Sequence, residues 1–417
     1  TDKNNFGPRV GFAYAIGPEK KMVIRGGYGL LYTLDAVDRP PLVQNPPFTN
    51  SITFNNAFDS STPRSVFNLQ TGPPNVPTIS PTLLLSPGGA ITVFREDPNQ
   101  KTALVHQFNV SFQMQFGKDY ALDVGYVGNR ARNLLQTLDI GGSGTAEARN
   151  TAGAFLSAKA YVNRARSNYN ALQAQLQKRL SKNVQGQISY TFSKNRDDST
   201  GVFQGIGEGR GSQGGPQNPF DLAAEYGISS LDVPHLLSAD AIIDLPFGKG
   251  QRYMNSSAAA NKLVGGIQLN IIALARSGYP FTVVCGNNGG RRASLIGDPF
   301  SNVPPGRDIN LSAFTCDAAR LGSVTNAAGT VIRFGNLPRN SFSSPGFARF
   351  DLSVFKNTAL TERLKMQIGI EFFNVFNSAT YTVPNNDSQN NNNSGSNGRF
   401  DAALPARVVQ YRLKLLF

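Results

Sequence analysis

The chain has only two imidazoles, His106 and His235, so any histidine-based chemistry rests on one of them. His235 stands near Asp232, Ser238 and Asp240, residue types that could supply a nucleophile, a base and an orienting acid. These residues open an alternating strand and lack the sharp nucleophile turn of such enzymes. An ordinary histidine at a loop end is the reading that fits. Residues 205–211 (GIGEGRG) resemble a phosphate loop in their glycines. No buried strand precedes them and no helix pattern follows, which the phosphate-binding mechanism needs, so they read as a flexible loop. No cysteine–histidine spacing supports zinc. Asp197 and Asp198 are adjacent carboxylates that could touch calcium in an exposed loop, although solvated turn carboxylates are the simpler reading. The residues therefore point away from an enzyme and call for no cofactor or metal.

Cys285 and Cys316 fall within one long predicted loop. A single pair in an otherwise cysteine-free exported chain suggests a disulfide, with two unrelated free thiols as the alternative. A further set of residues repeats at every second position: Asn109, Ser111, Gln113 and Gln115, then Gln173, Gln175 and Gln177, then Gln185 and Gln187. Such a row is polar and almost uncharged. It could hydrogen-bond a passing polar solute or an inserted domain without fixing a charge, or it could simply be a hydrated wall.

The elements that carry these rows are strands. Asn109 to Gln115 alternate with Phe108, Val110, Phe112, Met114 and Phe116, and a period of two sends the two sets to opposite sheet faces. The same alternation recurs from Val10 to Ile16, Met22 to Tyr32, Tyr120 to Tyr126, Leu172 to Leu180, Val184 to Phe192, Leu237 to Leu245, Ile267 to Ile271, Phe350 to Val354 and Met366 to Phe372. It ends with Val409, Tyr411, Leu413, Leu415 and the terminal Phe417, opposed by Gln410, Arg412 and Lys414. This predicts about eleven strands of roughly 9–13 residues, a length that suits a tilted membrane crossing. Aromatics near strand ends, such as Tyr14, Tyr32, Phe116, Tyr126, Tyr190, Phe192 and Phe376, would form an interfacial girdle.

Connections alternate in length. Residues 17–19, 117–119, 181–183 and 357–361 make tight turns, and 247–261 a somewhat longer one. Between them lie long segments at 33–103, 128–167, 195–234, 277–348 and 377–404. Loops this long are uncommon in compact soluble domains, whereas outer-membrane barrels pair short periplasmic turns with long extracellular loops. Residues 385–398 (NNDSQNNNNSGSNG) are low-complexity and polar, and a short helical insert fits 146–158 weakly.

Composition agrees. Of 417 residues, 40% are hydrophobic, and mean hydropathy is −0.25, as expected when lipid-facing and lumen-facing residues average out. The longest apolar run, 263–275, is too short for a spanning helix and is broken by Gln268 and Asn270. With 42 Gly and 25 Pro, turns are favoured over long helices. The net charge of +13 sits largely in or beside turns (Lys20, Lys21, Lys118, Lys182, Lys249), not in a basic stripe with interleaved aromatics, so nucleic acid is not the expected partner.

Several stretches resemble the barrel of Oar-like TonB-dependent receptors: NNFGPRVGFAY (4–14), IRGGYGLLY (24–32), YNALQAQLQKRLSKNVQGQISYTFSKNRDD (169–198), ADAIIDLPFGKG (239–250), SGYPFTV (277–283), FARFDLSVFKN (347–357), LTERLKMQIGIEFFNVFN (360–377) and the terminal strand. Their order spans nearly the whole chain. The resemblance implies an all-β, antiparallel transmembrane barrel portion, about eleven strands of a 22-stranded barrel. It implies residence in the outer membrane of a Gram-negative cell, with lipid, the barrel assembly machinery and an extracellular solute as partners. TonB would be reached only through an N-terminal plug and TonB box. Neither these nor a carboxypeptidase-regulatory-like domain is visible here, so the chain reads as the C-terminal half of the barrel. The terminal set Val409, Tyr411, Leu413, Leu415 and Phe417 resembles the C-terminal assembly signal of such barrels. The expected function is uptake or binding of an extracellular solute. The alternatives are a passive surface barrel or adhesin, and a soluble β-rich carbohydrate-binding protein. An open, strongly curved half-barrel, or a distorted closure, is expected, with the edges near Val10 and Tyr411 lacking their natural partners.

Overall fold

The computed structural model describes residues 5–33, 57–59, 62–64, 92–139, 157–198, 216–218, 221–248, 250–255, 258–285, 291–325, 331–361, 363–379, 381 and 405–417. Eleven strands form one continuous antiparallel wall in strict chain order. They are β1 (Arg9–Ile16), β2 (Met22–Thr33), β3 (Ala103–Phe116), β4 (Tyr120–Asp139), β5 (Ser157–Ser181), β6 (Val184–Asp197), β7 (His235–Asp244), β8 (Ile267–Arg276), β9 (Phe347–Ala359), β10 (Lys365–Phe373) and β11 (Val408–Leu416). Among the described residues β1 pairs only with β2 and β11 only with β10, so the wall is open there and each keeps one edge without a described ladder partner.

Register keeps the apolar set on one face across the wall. Val110 lies opposite Tyr126, which lies opposite Leu172, which lies opposite Phe192. Ile271 meets Leu352, which meets Phe372, and Ile370 meets Tyr411. A slip of one residue in any pair would exchange the two faces, so this phase fixes the register throughout. At the tight-turn end, Lys182 and Asn183 both adopt positive φ, 48° and 66°. That is the twist a two-residue hairpin needs between β5 and β6.

The structure corrects the expected loops in three places. β4 and β5 run for 20 and 25 residues, so most of 128–167 is strand. The register shifts between Ala131 and Leu134, where Asn133 has φ 55°. Beyond this bulge Leu135, Gln136, Leu138, Ala160, Tyr161 and Val162 are buried. The alternation that announces a half-exposed strand is thereby lost, which is why the sequence reads as loop. Within 33–103, a short strand Thr92–Glu96 adds in parallel to the start of β5. In the longer turn, Ala258–Val264 forms a helix. The possible helical insert falls mostly on 146–156, outside the described residues, as do 205–211 and 385–398; positions 157 and 158 begin β5.

The apolar core lies beside the wall, within 277–348. Phe281, Val283, Cys285, Ala293, Ile309, Ala313, Phe314 and Leu337 are buried together, with Leu311, Cys316 and Phe342 packed against them. This segment is a small folded cap.

Candidate functional site

The polar rows predicted from sequence share one face. Gln113 lies opposite Asp123, which lies opposite Gln175, which lies opposite Ser189. Gln115, Ala121, Gln177 and Gln187 form a neighbouring row, and Ser111, Gly125 and Gln173 another. Asn109 and Gln185 occupy the same phase through Val127 and Ile242. The face is less neutral than the amide pattern implies. Pairing brings in Asp123 between two glutamines, Arg25 opposite Ser111 and Asp240 opposite Gln187. Farther along, Arg349 meets Asp351 at 2.9 Å. Arg25, Asp123 and Asp240 lie singly in different strands, so only the register gathers them. On the same face Asn270 Oδ1 is buried without a hydrogen-bond partner among the described residues.

The cap stands at the long-loop end and is tied to β6 and its neighbouring segment by ionic contacts. Arg292 donates Nη1 to Glu225 at 2.6 Å and Nη2 at 3.1 Å, with both side chains almost fully buried. Arg339 pairs with Asp197 at 2.8 Å and also donates to the carbonyls of Asp197 and Glu225. Asn340 donates to the Ile228 carbonyl at 2.7 Å, and Gln217 to that of Gly335 at 3.0 Å. Gly278 lets the cap's first segment lie flat on its last, because a Cβ there would come within 1.6 Å of the Ser344 carbonyl oxygen. Cys285 and Cys316 are joined by a disulfide across 31 positions, with Cα atoms 5.8 Å apart.

Asp197 and Asp198 are not solvated turn carboxylates. Both are buried, Asp197 against Arg339 and Asp198 against Arg166 at 3.1 Å. Burial raises the Asp198 carboxyl above its ordinary value, outweighing the opposing pull of Arg166. Asp232 is raised for the same reason, although it accepts a hydrogen bond from the Asn195 amide and feels Lys194 and Arg196. These ion pairs span up to 142 positions, and no local signal could have found them.

Neither histidine sits in a catalytic arrangement. Each accepts or donates through Nδ1 to a tyrosine hydroxyl at 2.8 Å, His106 with Tyr28 and His235 with Tyr190. Both belong to the apolar face near the long-loop end, and His235 also packs on Phe192, their ring centroids 5.2 Å apart. Each packs against the rings of neighbouring aromatics on that face. In the terminal strand, Val409, Tyr411, Leu413, Leu415 and Phe417 are all exposed, Phe417 at 96%.

The model of the outer membrane beta barrel domain family matches residues 1–410. Among solved structures, the outer membrane transporter YddB from Escherichia coli superposes with a TM-score of 0.51 at 11% identity, over 99% of this chain and 40% of that one. The ferripyoverdine receptor of the outer membrane of Pseudomonas aeruginosa gives a TM-score of 0.43 at 11% identity, over 98% of this chain and 32% of that one. The FrpB iron transporter from Neisseria meningitidis gives 0.43 at 10%, over 99% and 39%. The chain thus spans two fifths or less of these relatives. No curated protein matches it. By the family model and by its wall of sequential antiparallel strands, the chain belongs to the outer-membrane β-barrel domain family and resides in the outer membrane of a Gram-negative cell.

Proposed function

We propose that this chain is part of the wall of an outer-membrane receptor that binds an extracellular solute and admits it through energised transport. The observation that carries the reading is the cap, a disulfide-bonded folded unit clamped by buried ion pairs at the long-loop end of a wall with one polar face. A passive pore needs only a hydrated wall. An ordered unit at the extracellular mouth supplies a surface that can hold a solute before it enters. In this reading the rows around Gln113, Gln115, Gln173, Gln175 and Gln177 face the lumen, where amides, Asp123 and the unpartnered Asn270 oxygen would meet a plug domain or the solute. The plug and the TonB-contacting segment would belong to the remainder of the receptor.

Uptake of candidate solutes by cells producing the complete receptor tests this. Energised transport is lost when the proton gradient is collapsed. A passive barrel or adhesin is indifferent to that treatment. The terminal strand is proposed as the segment that the barrel assembly machinery recognises. Removing Phe417 should then leave the protein unassembled and heat-unmodified on electrophoresis, whereas unchanged assembly would reject that role.

A further inference from the structure

We infer that Arg276 recognises a carboxylate on the solute, an assignment that rests on the reading of this chain as part of a solute receptor. Arg276 ends β8 where the cap begins, in the phase of the polar face. Through Leu236 and Thr191 it stands in the same cross-strand row as Gln173. Its guanidinium carbon lies 3.9 Å from the centre of the Tyr279 ring and 4.9 Å from that of Phe347. Tyr279 belongs to the first segment of the cap and Phe347 opens β9, so the cation is held where wall and cap meet.

The chain does not balance this charge. Nη1 donates to the Ser277 carbonyl at 3.2 Å. That bond satisfies one N–H donor, but a neutral acceptor leaves the charge in place. Among the described residues no carboxylate pairs with Arg276, whereas Arg166, Arg292, Arg339 and Arg349 each hold one. The next acids along this part of the polar face are Asp240 and Asp351, both opposite Ile272. Ile272 is about 13 Å along the strand from Arg276. Asp351 is moreover engaged by Arg349 and by the Asn374 amide. A half-buried cation without a counter-charge costs free energy that an incoming anion recovers.

The same contacts select the ligand. Packing against two rings restricts the side chain, so the guanidinium fork is ordered before binding and loses little freedom on it. A fork held in one orientation matches the two oxygens of a carboxylate. One positive charge balances one negative charge. A phosphate dianion would need a second cation, and the neighbouring one, Arg349 opposite Leu274, is already taken by Asp351. Thr191 and Gln173, in the same row, offer neutral hydrogen-bonding groups to the remainder of the solute.

The test uses the complete receptor in nanodiscs with 4-fluorophenylalanine in place of Phe347, whose fluorine resonance reports events at Arg276. Sodium acetate or sodium methyl phosphate replaces sodium chloride at constant ionic strength, and acetamide serves as the neutral control. Acetate should shift the resonance saturably and acetamide should not. Arg276→Gln should weaken acetate binding by about tenfold or more. Arg276→Lys should weaken it less, because lysine keeps the charge without the fork. No saturable response to acetate, an equal response to acetamide, tighter binding of methyl phosphate, or unchanged affinity in Arg276→Gln would overturn the assignment. If Arg276→Gln fails to assemble, the comparison of acetate with acetamide on the receptor that retains Arg276 decides. The titration reads binding without transport, so uptake indifferent to the proton gradient would count against energised transport and not against this site.

Discussion

Individual charges show what holds the cap. Glu225 and Arg292 are buried together, and the carboxylate also accepts the Gln217 amide. Removing one partner strands the other, so Glu225→Ala should destabilise the cap by about 3–5 kcal/mol. The double variant Glu225→Leu with Arg292→Met should cost less than either single change, because no charge is then left buried. Protease resistance of the cap during thermal melting reads both. Asp232 behaves differently. Burial raises its folded pKa above the ordinary 3.8, so its favourable contribution is complete only below that value and is lost as pH rises through the raised one. At neutral pH its charge is a net cost. Asp232→Asn keeps an oxygen to accept from Asn195 and should melt higher than wild type at pH 7, with the advantage shrinking toward pH 4. An advantage that grows on acidification would contradict the burial argument.

At the scale of elements, the wall was legible and the cap was not. Lipid on one side and water on the other force a period of two on every crossing strand, so the Phe108–Phe116 and Leu172–Leu180 patterns stand out in sequence. The extension of β4 and β5 beyond Asn133 was hidden, since a bulge interrupts the phase and both faces are then covered. The cap has no period at all. Its short strands pair over two to four residues, and its ties reach Asp197 and Glu225 far away in the chain. Only the cysteine pair marked it. That pair matters energetically: closing a loop of 31 positions restricts the unfolded chain by about 3–4 kcal/mol. Cys285→Ser with Cys316→Ser should therefore leave the wall assembled but make the cap protease-sensitive well below the melting temperature of the wild type. Unchanged cap resistance would show that the ion pairs and the apolar cluster suffice.

For the whole molecule, the polar candidates of the sequence fall on a single face, yet its charge was invisible until strands were paired. Asp123, Asp240 and Arg25 each look like isolated strand residues, and register alone places them among the amides. Among the described residues, the outer edges of β1 and β11 carry no ladder partner, and unpaired backbone of that kind is not tolerated in lipid. The central claim is that the apolar face meets lipid and the polar face lines the lumen. Spin labels on cysteines introduced singly at Val110, Gln113, Leu176, Gln175, Ile271 and Asn270 of the complete receptor in bilayers test it most directly. Labels at Val110, Leu176 and Ile271 should be relaxed by oxygen, and those at Gln113, Gln175 and Asn270 by a water-soluble nickel chelate. Equal chelate access at both sets, or the reverse assignment, would contradict it.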